Sequence, residues 1–311
     1  MKNKRILFMG TPDFAEKSLV KLLDEGFSVV GVVTQPDKPK GRGHKMMFPP
    51  VKERAIENNI PVFQPETLKN GELKDILDEL SPEIIVVVAY GKILPQYVLS
   101  YPKYGCINVH GSILPKYRGA APIQWAVING ESETGVTTML MDKGLDTGDM
   151  LLIEKTKIGK YETAEELFER LSILGGEVLV KTILNLTEIK PIPQNNDEST
   201  YAPIIKKEMA EIDWSKSSEE ISNLVRGMNS WPMAYTYYKG EIVKIISATI
   251  ADGTGKAGEI DKIYKNNGLK VFCGEGAIFV KDVQFAGKKR MNIEDYMRGH
   301  TISQGEYFGK E

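Results

Sequence analysis

The sequence predicts two architectures in tandem, a doubly wound α/β domain with a mostly parallel sheet and then a small, mostly antiparallel β-barrel. Three observations carry this reading. Up to about residue 186, β-branched apolar runs alternate with segments whose apolar residues recur at helical spacing. Around residue 190 the composition turns to Pro, Asn, Asp and Ser. Beyond residue 230, short strand-like runs are separated by glycine turns.

Taken in order, Arg5–Met9 is a short apolar run closed by Gly10, Thr11 and Pro12. Thr11 is expected as a helix N-cap and Pro12 at the first helical position. Phe14, Leu19, Leu22 and Leu23 then keep helical spacing until Gly26 stops the helix. Ser28–Thr34 reads as a strand, and Pro50–Asn58 and Glu72–Leu80 as helices. Glu83–Ala89 is apolar on both faces, as a central parallel strand requires. Cys106–His110 and Val136–Met141 are further strands, and Thr163 with Glu166 forms a capping box for a helix running toward Leu186. The stretch Lys190–Pro203 reads as an extended linker. One helix, Ser218–Met228, precedes the strands of the barrel. Their turns are marked by Lys239-Gly240, Asp252-Gly253, Asn266-Asn267-Gly268 and Gly274-Glu275-Gly276. The expected division is a first domain over 1–189, a linker over 190–207 and a second domain over 208–311.

Composition narrows the partners. Lys+Arg 40 against Asp+Glu 42 gives a net charge of -2, so any nucleic-acid contact must come from local basic clusters. The cysteines, Cys106 and Cys273, each sit in a strand-like run and are expected as buried free thiols. The apolar run near the amino terminus is too short for a signal peptide and no long apolar stretch follows, which predicts a cytoplasmic protein with no membrane partner. No G-x-G-x-x-G follows Gly10, and neither a P-loop nor a zinc-like Cys/His spacing is present. No metal is implied.

The densest chemistry lies in Asn108-Val109-His110-Gly111-Ser112-Ile113-Leu114-Pro115. Asn108 and His110 are two apart on a strand and share a face. At the carboxyl end of an α/β strand they could donate hydrogen bonds into a ligand cleft, or simply satisfy loop backbone. A second cluster, Met141–Asp149, follows a strand and holds Asp142, Asp146 and Asp149 among glycines. It could present a carboxylate into a cleft, or be an ordinary acidic turn.

Together these segments resemble the folate-dependent formyltransferases. The resemblance rests on NVHGSILP, the GLDTGD loop, VVVAYGKILP at Val86–Pro95, MGTPDFA at Met9–Ala15 and YRGAAPIQWA at Tyr117–Ala126, and covers nearly the whole chain. It implies a Rossmann-like catalytic domain and an OB-like barrel, with Asn108, His110 and Asp146 as the catalytic set. It further implies 10-formyltetrahydrofolate as formyl donor and co-substrate, held by Ser112, Ile113, Leu114 and Pro115 and by Tyr90, Gly91, Ile93 and Leu94 in the pterin wall. The loop Thr34–Lys45 is similar to the basic insertion of the branch of the family that formylates methionyl-initiator tRNA. That likeness makes Lys38, Lys40, Gly41, Arg42, Gly43 and Lys45 the expected tRNA contacts, with Arg42 discriminating; otherwise the loop is a solvated insertion. The barrel is the expected second tRNA-binding surface, although residues 208–311 carry 14 Lys+Arg against 15 Asp+Glu and only one basic triplet, Lys288-Lys289-Arg290. A sugar-nucleotide acceptor and a noncatalytic RNA-binding role are the competing readings. A monomer is expected.

Overall fold

The computed structural model describes residues 1–40, 45–69 and 71–310; of Pro39, Lys40 and Lys45 it describes the backbone alone. The elements in chain order begin with β1 (Ile6–Gly10), α1 (Asp13–Asp24), β2 (Val29–Val33), β3 (Lys38–Lys40), β4 (Lys45–Met47) and α2 (Pro50–Glu57). There follow β5 (Val62–Phe63), α3 (Lys74–Leu80), β6 (Ile84–Val88), α4 (Gln96–Leu99), β7 (Cys106–His110), β8 (Arg118–Gly119) and α5 (Pro122–Ile128). Then come β9 (Glu133–Leu140), β10 (Met150–Lys157), α6 (Ala164–Leu184) and β11 (Tyr201–Ala202). By its contacts the chain forms two compact units: residues 1–119, 134–156 and 168–202 form one, and 120–133, 157–167 and 203–311 the other.

The first unit is built on a seven-stranded sheet of order β10-β9-β7-β6-β1-β2-β5. Strands β7, β6, β1, β2 and β5 are parallel, and β9 joins β7 antiparallel. The central strands β1, β6 and β7 are buried at every position, which explains the unbroken apolar runs of β1 and β6. From β1 the chain winds outward to β2 and β5, then returns to β6 and β7 on the other side. The order therefore reverses between β1 and β6, the place where doubly wound sheets open a crevice at the carboxyl ends of their strands.

The helix after β1 starts one residue later than its sequence signals suggest. Pro12, not Thr11, is its N-cap, and the Thr11 hydroxyl instead accepts from Gln35 N–H at 3.3 Å. The capping box at Thr163 and Glu166 forms as expected, with the Glu166 carboxylate accepting from Thr163 N–H at 2.8 Å. The stretch from Lys190 is tied into the first unit: Ile192 bridges Met150, and Tyr201–Ala202 pairs with Arg118–Gly119.

The second unit contains α7 (Ser218–Gly227), opened by a capping box of Ser217 and Glu220, and α8 (Ile293–Met297). Its antiparallel sheet runs β12-β13-β16-β15-β14, from β12 (Tyr235–Tyr238), β13 (Glu241–Ala251), β14 (Ile260–Tyr264), β15 (Gly268–Phe272) and β16 (Ala277–Phe285), with β17 (Met291–Asn292) on β16. Residues 305–309 lie along both outer strands. Gly305 N–H donates to Ile260 O, Phe308 N–H to Gly258 O, and Gly309 N–H to Tyr237 O, each at 2.8 Å. Inside pack Trp214, Ile245, Leu269, Val271, Ile278 and Phe308. Among the described residues, no helix is long and apolar enough to cross a membrane.

Candidate active site

Strand β7 carries Asn108 and His110 on one face, and both are buried. Asp146 joins them. Its Oδ1 lies 3.5 Å from Asn108 Nδ2, and its Oδ2 accepts from Gly119 N–H at 2.8 Å and lies 3.8 Å from His110 Nδ1. The other ring nitrogen, His110 Nε2, is 2.9 Å from the carbonyl of Tyr117. A carbonyl only accepts, so Nε2 carries a hydrogen. Nδ1 faces the Asp146 carboxylate across 3.8 Å, beyond hydrogen-bond distance.

Asp146 does not reach this point from a neighbouring strand end. Because β9 is antiparallel to β7, with Thr137 opposite His110 and Leu140 opposite Ile107, the chain leaves β9 near the amino end of β7. The 141–149 loop must fold back to bring Asp146 to His110. Asp142 makes the first turn, accepting from Gly144 N–H at 2.9 Å and from the Thr147 hydroxyl at 2.6 Å. Asp146 sits at φ +54°, a conformation Asp tolerates better than most residues. Gly148 passes so close to β9 that a Cβ there would overlap the carbonyl oxygen of Leu140. Gln194 fastens the loop from outside, donating to the carbonyls of Asp146 at 2.9 Å and Gly148 at 2.7 Å. Arg118 holds Gln194 in turn through Nε and Nη2, at 3.0 and 2.8 Å from its Oε1.

The turn after His110 is pinned by a buried threonine. Thr137 Oγ1 donates to Ser112 O at 2.7 Å and accepts from Leu114 N–H at 3.1 Å. Ser112 is fully buried, and its hydroxyl donates to Lys116 O at 2.7 Å. Leu114 is buried while Ile113 and Pro115 are half-exposed. In the 86–95 segment, Tyr90 and Leu94 are buried, and Gly91 and Ile93 are exposed, Ile93 by 84%. Burial pushes the Tyr90 hydroxyl up to about 12. Of the expected donor contacts, the exposed ones are therefore Gly91 and Ile93, with Ile113 and Pro115 partly so. Ser112, Leu114, Tyr90 and Leu94 are buried.

The expected acceptor loop is a short hairpin, with Lys38–Lys40 antiparallel to Lys45–Met47. Lys38 is exposed. Gly41, Arg42 and Gly43 lie outside the described residues. In the second unit, Lys288, Lys289 and Arg290 occupy the exposed turn between β16 and β17. Both cysteines are free and buried, and burial pushes each thiol up to about 12, so neither is a poised nucleophile.

Sequence reasoning did not find Gln194, Gly119 N–H or the carbonyl of Tyr117. The first hides in a Pro- and Asn-rich stretch with no periodic signal, and the other two are backbone groups. Tyr117 and Gly119 do have positive φ, +60° and +116°, which sets the turn that aims both groups at the site.

Residues 4–183 match the family model described as formyl transferase, and residues 204–301 match that of the formyl transferase C-terminal domain. A methionyl-tRNA formyltransferase of Alkaliphilus oremlandii is 51% identical over 310 residues, covering 98% of this chain and all of the relative. One of Caldanaerobacter subterraneus subsp. tengcongensis is 52% identical over 304 residues, covering 97% and 98%. Among solved structures, WlaRD, a sugar 3N-formyl transferase, superposes with a TM-score of 0.66 at 22% identity, covering 93% of this chain and all of that one. HypX from Aquifex aeolicus in complex with tetrahydrofolic acid gives 0.65 at 15% identity, covering 99% and 51%. At these identities the structural likeness speaks for the fold alone.

Proposed function

This chain belongs to the formyl transferase family, and we infer that it transfers a formyl group to the α-amino group of methionyl-initiator tRNA. The donor is 10-formyltetrahydrofolate, lying against Gly91, Ile93 and Ile113 beside the β1/β6 crevice. The first domain performs the transfer as a monomer in the cytoplasm, and the second domain and the basic hairpin hold the RNA. The observation that carries the chemistry is one carboxylate, Asp146, placed against both side-chain donors of β7.

The reaction is an acyl transfer. The lone pair of the neutral amine forms a bond to the formyl carbon, and the carbonyl electrons move onto oxygen. Asn108 Nδ2–H and His110 Nδ1–H donate to that oxyanion. The His110 ring can serve it while Nε2–H stays on the Tyr117 carbonyl. Asp146 stabilises the imidazolium and takes a proton from the new ammonium. The oxyanion then reforms the carbonyl, the bond to the folate nitrogen breaks, and that nitrogen receives the proton. No covalent enzyme intermediate is required.

The test is donor consumption with initiator methionyl-tRNA and, separately, an amino-sugar nucleotide as acceptors. Turnover with the tRNA alone is expected. Turnover with the sugar alone overturns the acceptor, and none with either overturns the activity. Asn108→Ala should lower kcat about a hundred- to a thousandfold while leaving the melting temperature within a few degrees.

A further inference from the structure

The peptide joining Tyr90 to Gly91 runs into a residue of positive φ, Gly91 at +81°, one residue after another, Ala89 at +45°. A peptide plane followed by glycine can take either of the two orientations that separate type I from type II turns, so a contact outside the segment can select one. Here the holder is Gln35, whose Nε2 donates to Tyr90 O at 2.9 Å. In a trans peptide the C=O and N–H point to opposite sides. With the carbonyl turned toward Gln35, Gly91 N–H is turned away from it. Among the described residues neither Gly91 N–H nor Ile93 N–H donates to protein, and both residues are exposed.

Gln35 is itself fixed at both backbone groups. Its N–H donates to Thr11 Oγ1 at 3.3 Å, at the end of β1, and its carbonyl accepts from Gln64 Nε2 at 2.9 Å. Gln64 is locked by Lys52, which donates to Gln64 Oε1 at 2.7 Å and to Asp37 Oδ2 at 2.6 Å. The Lys52 ammonium, followed by the Gln64 amide, holds the Asp37 carboxyl below its ordinary range. Since Lys52 can only donate, Gln64 Oε1 must face it, and Gln64 Nε2 is left for the Gln35 carbonyl. The chain at Gln35 is thereby set, and its side chain is aimed along one direction. The same residue is the root of the segment leading into the basic hairpin.

We propose that Gln35 is a positioning residue for the formyl donor: by holding the Tyr90 carbonyl it turns the Gly91 N–H outward to meet a polar edge of the donor's ring system. This rests on the reading above that a reduced folate lies against residues 86–95. Gln35 touches neither substrate, and it acts through the orientation of one peptide plane at the switch point between β1 and β6.

The experiment compares Gln35→Met, which keeps length and apolar bulk, with Gln35→Glu, which keeps the shape but faces the Tyr90 carbonyl with an acceptor. Folinic acid binding by calorimetry, donor KM, kcat at saturating donor and melting temperature are read on the full chain. For Gln35→Met, a weakening of donor Kd and KM by roughly fivefold to tenfold is expected, with kcat kept within about twofold, the signature of lost binding and not of lost chemistry. Gln35→Glu should be weaker still, beyond about tenfold, because the carboxylate repels the carbonyl and favours the rotated plane. Wild-type donor affinity in both folded variants overturns the proposal, as do equal losses in the two, which would mean packing alone. Should Gln35→Glu fail to fold, the Gln35→Met split between KM and kcat decides the matter. A wild-type chain that binds no folinic acid overturns the donor assignment itself, a result distinguishable from either variant's.

Discussion

Replacing Asp146 by Asn removes a charge while keeping the size and one acceptor oxygen. The side chain is only 14% exposed, and its Oδ2 stands 3.8 Å from His110 Nδ1. With an effective dielectric near 20, a carboxylate and an imidazolium at that distance attract by about 4 kcal/mol. If that attraction operates in the transition state, its loss lowers kcat on the order of a thousandfold, since each 1.36 kcal/mol is about a factor of ten. Stability should change far less, because an Asn oxygen can still accept from Gly119 N–H, which now meets Oδ2 at 2.8 Å. Asp146→Ala takes that acceptor away as well and should cost roughly 1–3 kcal/mol of stability on top. The assay is single-turnover formyl transfer to methionyl-tRNA, with urea unfolding of each variant in parallel. An Asp146→Asn enzyme within about tenfold of wild type would refute the electrostatic role, since uncharged Asn would then serve His110 nearly as well.

Gly148→Ala forces a Cβ onto the Leu140 carbonyl oxygen, so the loop must move; turnover should collapse, at a stability cost of roughly 1–3 kcal/mol, and wild-type rates would show that the loop tolerates displacement. Arg42→Ala should lower kcat/KM for methionyl-tRNA by about ten- to a hundredfold, the range of a lost charge-assisted contact, and make the salt dependence shallower by about one unit of slope, with folate affinity unchanged. A variant indistinguishable from wild type would mark the loop as a solvated insertion. Glu306 accepts from the Tyr238 hydroxyl, then from Lys239 and Ser303 N–H, and these hold its carboxyl at about 2 against an ordinary 4.5. A depressed carboxyl stabilises the fold above the unfolded value and loses that contribution as pH falls, here between about 4.5 and 2. Glu306→Gln should therefore lower the urea midpoint at pH 7 and flatten its decline across that window, and an unchanged acid profile would dismiss the contribution.

The strands of the parallel sheet were readable because burial on both faces demands unbroken apolar runs, and Ile84–Val88 can do little else. Asn108 and His110 were readable because period-two spacing on a strand gives a common face whatever the tertiary fold. Asp146 was legible as one of three acids in a glycine-flanked loop. The residues alone could not choose it over Asp142, which turned out to brace the turn, and the resemblance made that choice. Nor could they show that the loop doubles back from the far end of β7, since that depends on β9 being antiparallel. Gln194 was illegible for a related reason. A side chain that serves distant backbone carbonyls leaves no mark in local spacing, and a stretch rich in Pro and Asn reads as a linker even where it is bonded into the first unit. The N-cap after β1 shifted by one residue because Thr11 spends its hydroxyl on Gln35.

The lacing of residues 305–309 across β12 and β14 has a consequence for the birth of the protein. Synthesis delivers Tyr237 about 70 residues before Gly309, a delay of roughly 4–15 s at ribosomal elongation speeds. From the completion of β16 at Phe285 until Gly309 arrives, the nascent antiparallel sheet lacks these bonds along β14 and at Tyr237 of β12, and open N–H and C=O groups at a sheet margin are templates for adhesion to neighbouring chains. The second unit can therefore ripen only after its last stitches have cleared the ribosome, and a stop codon just short of residue 305 would release a chain whose margins never seal.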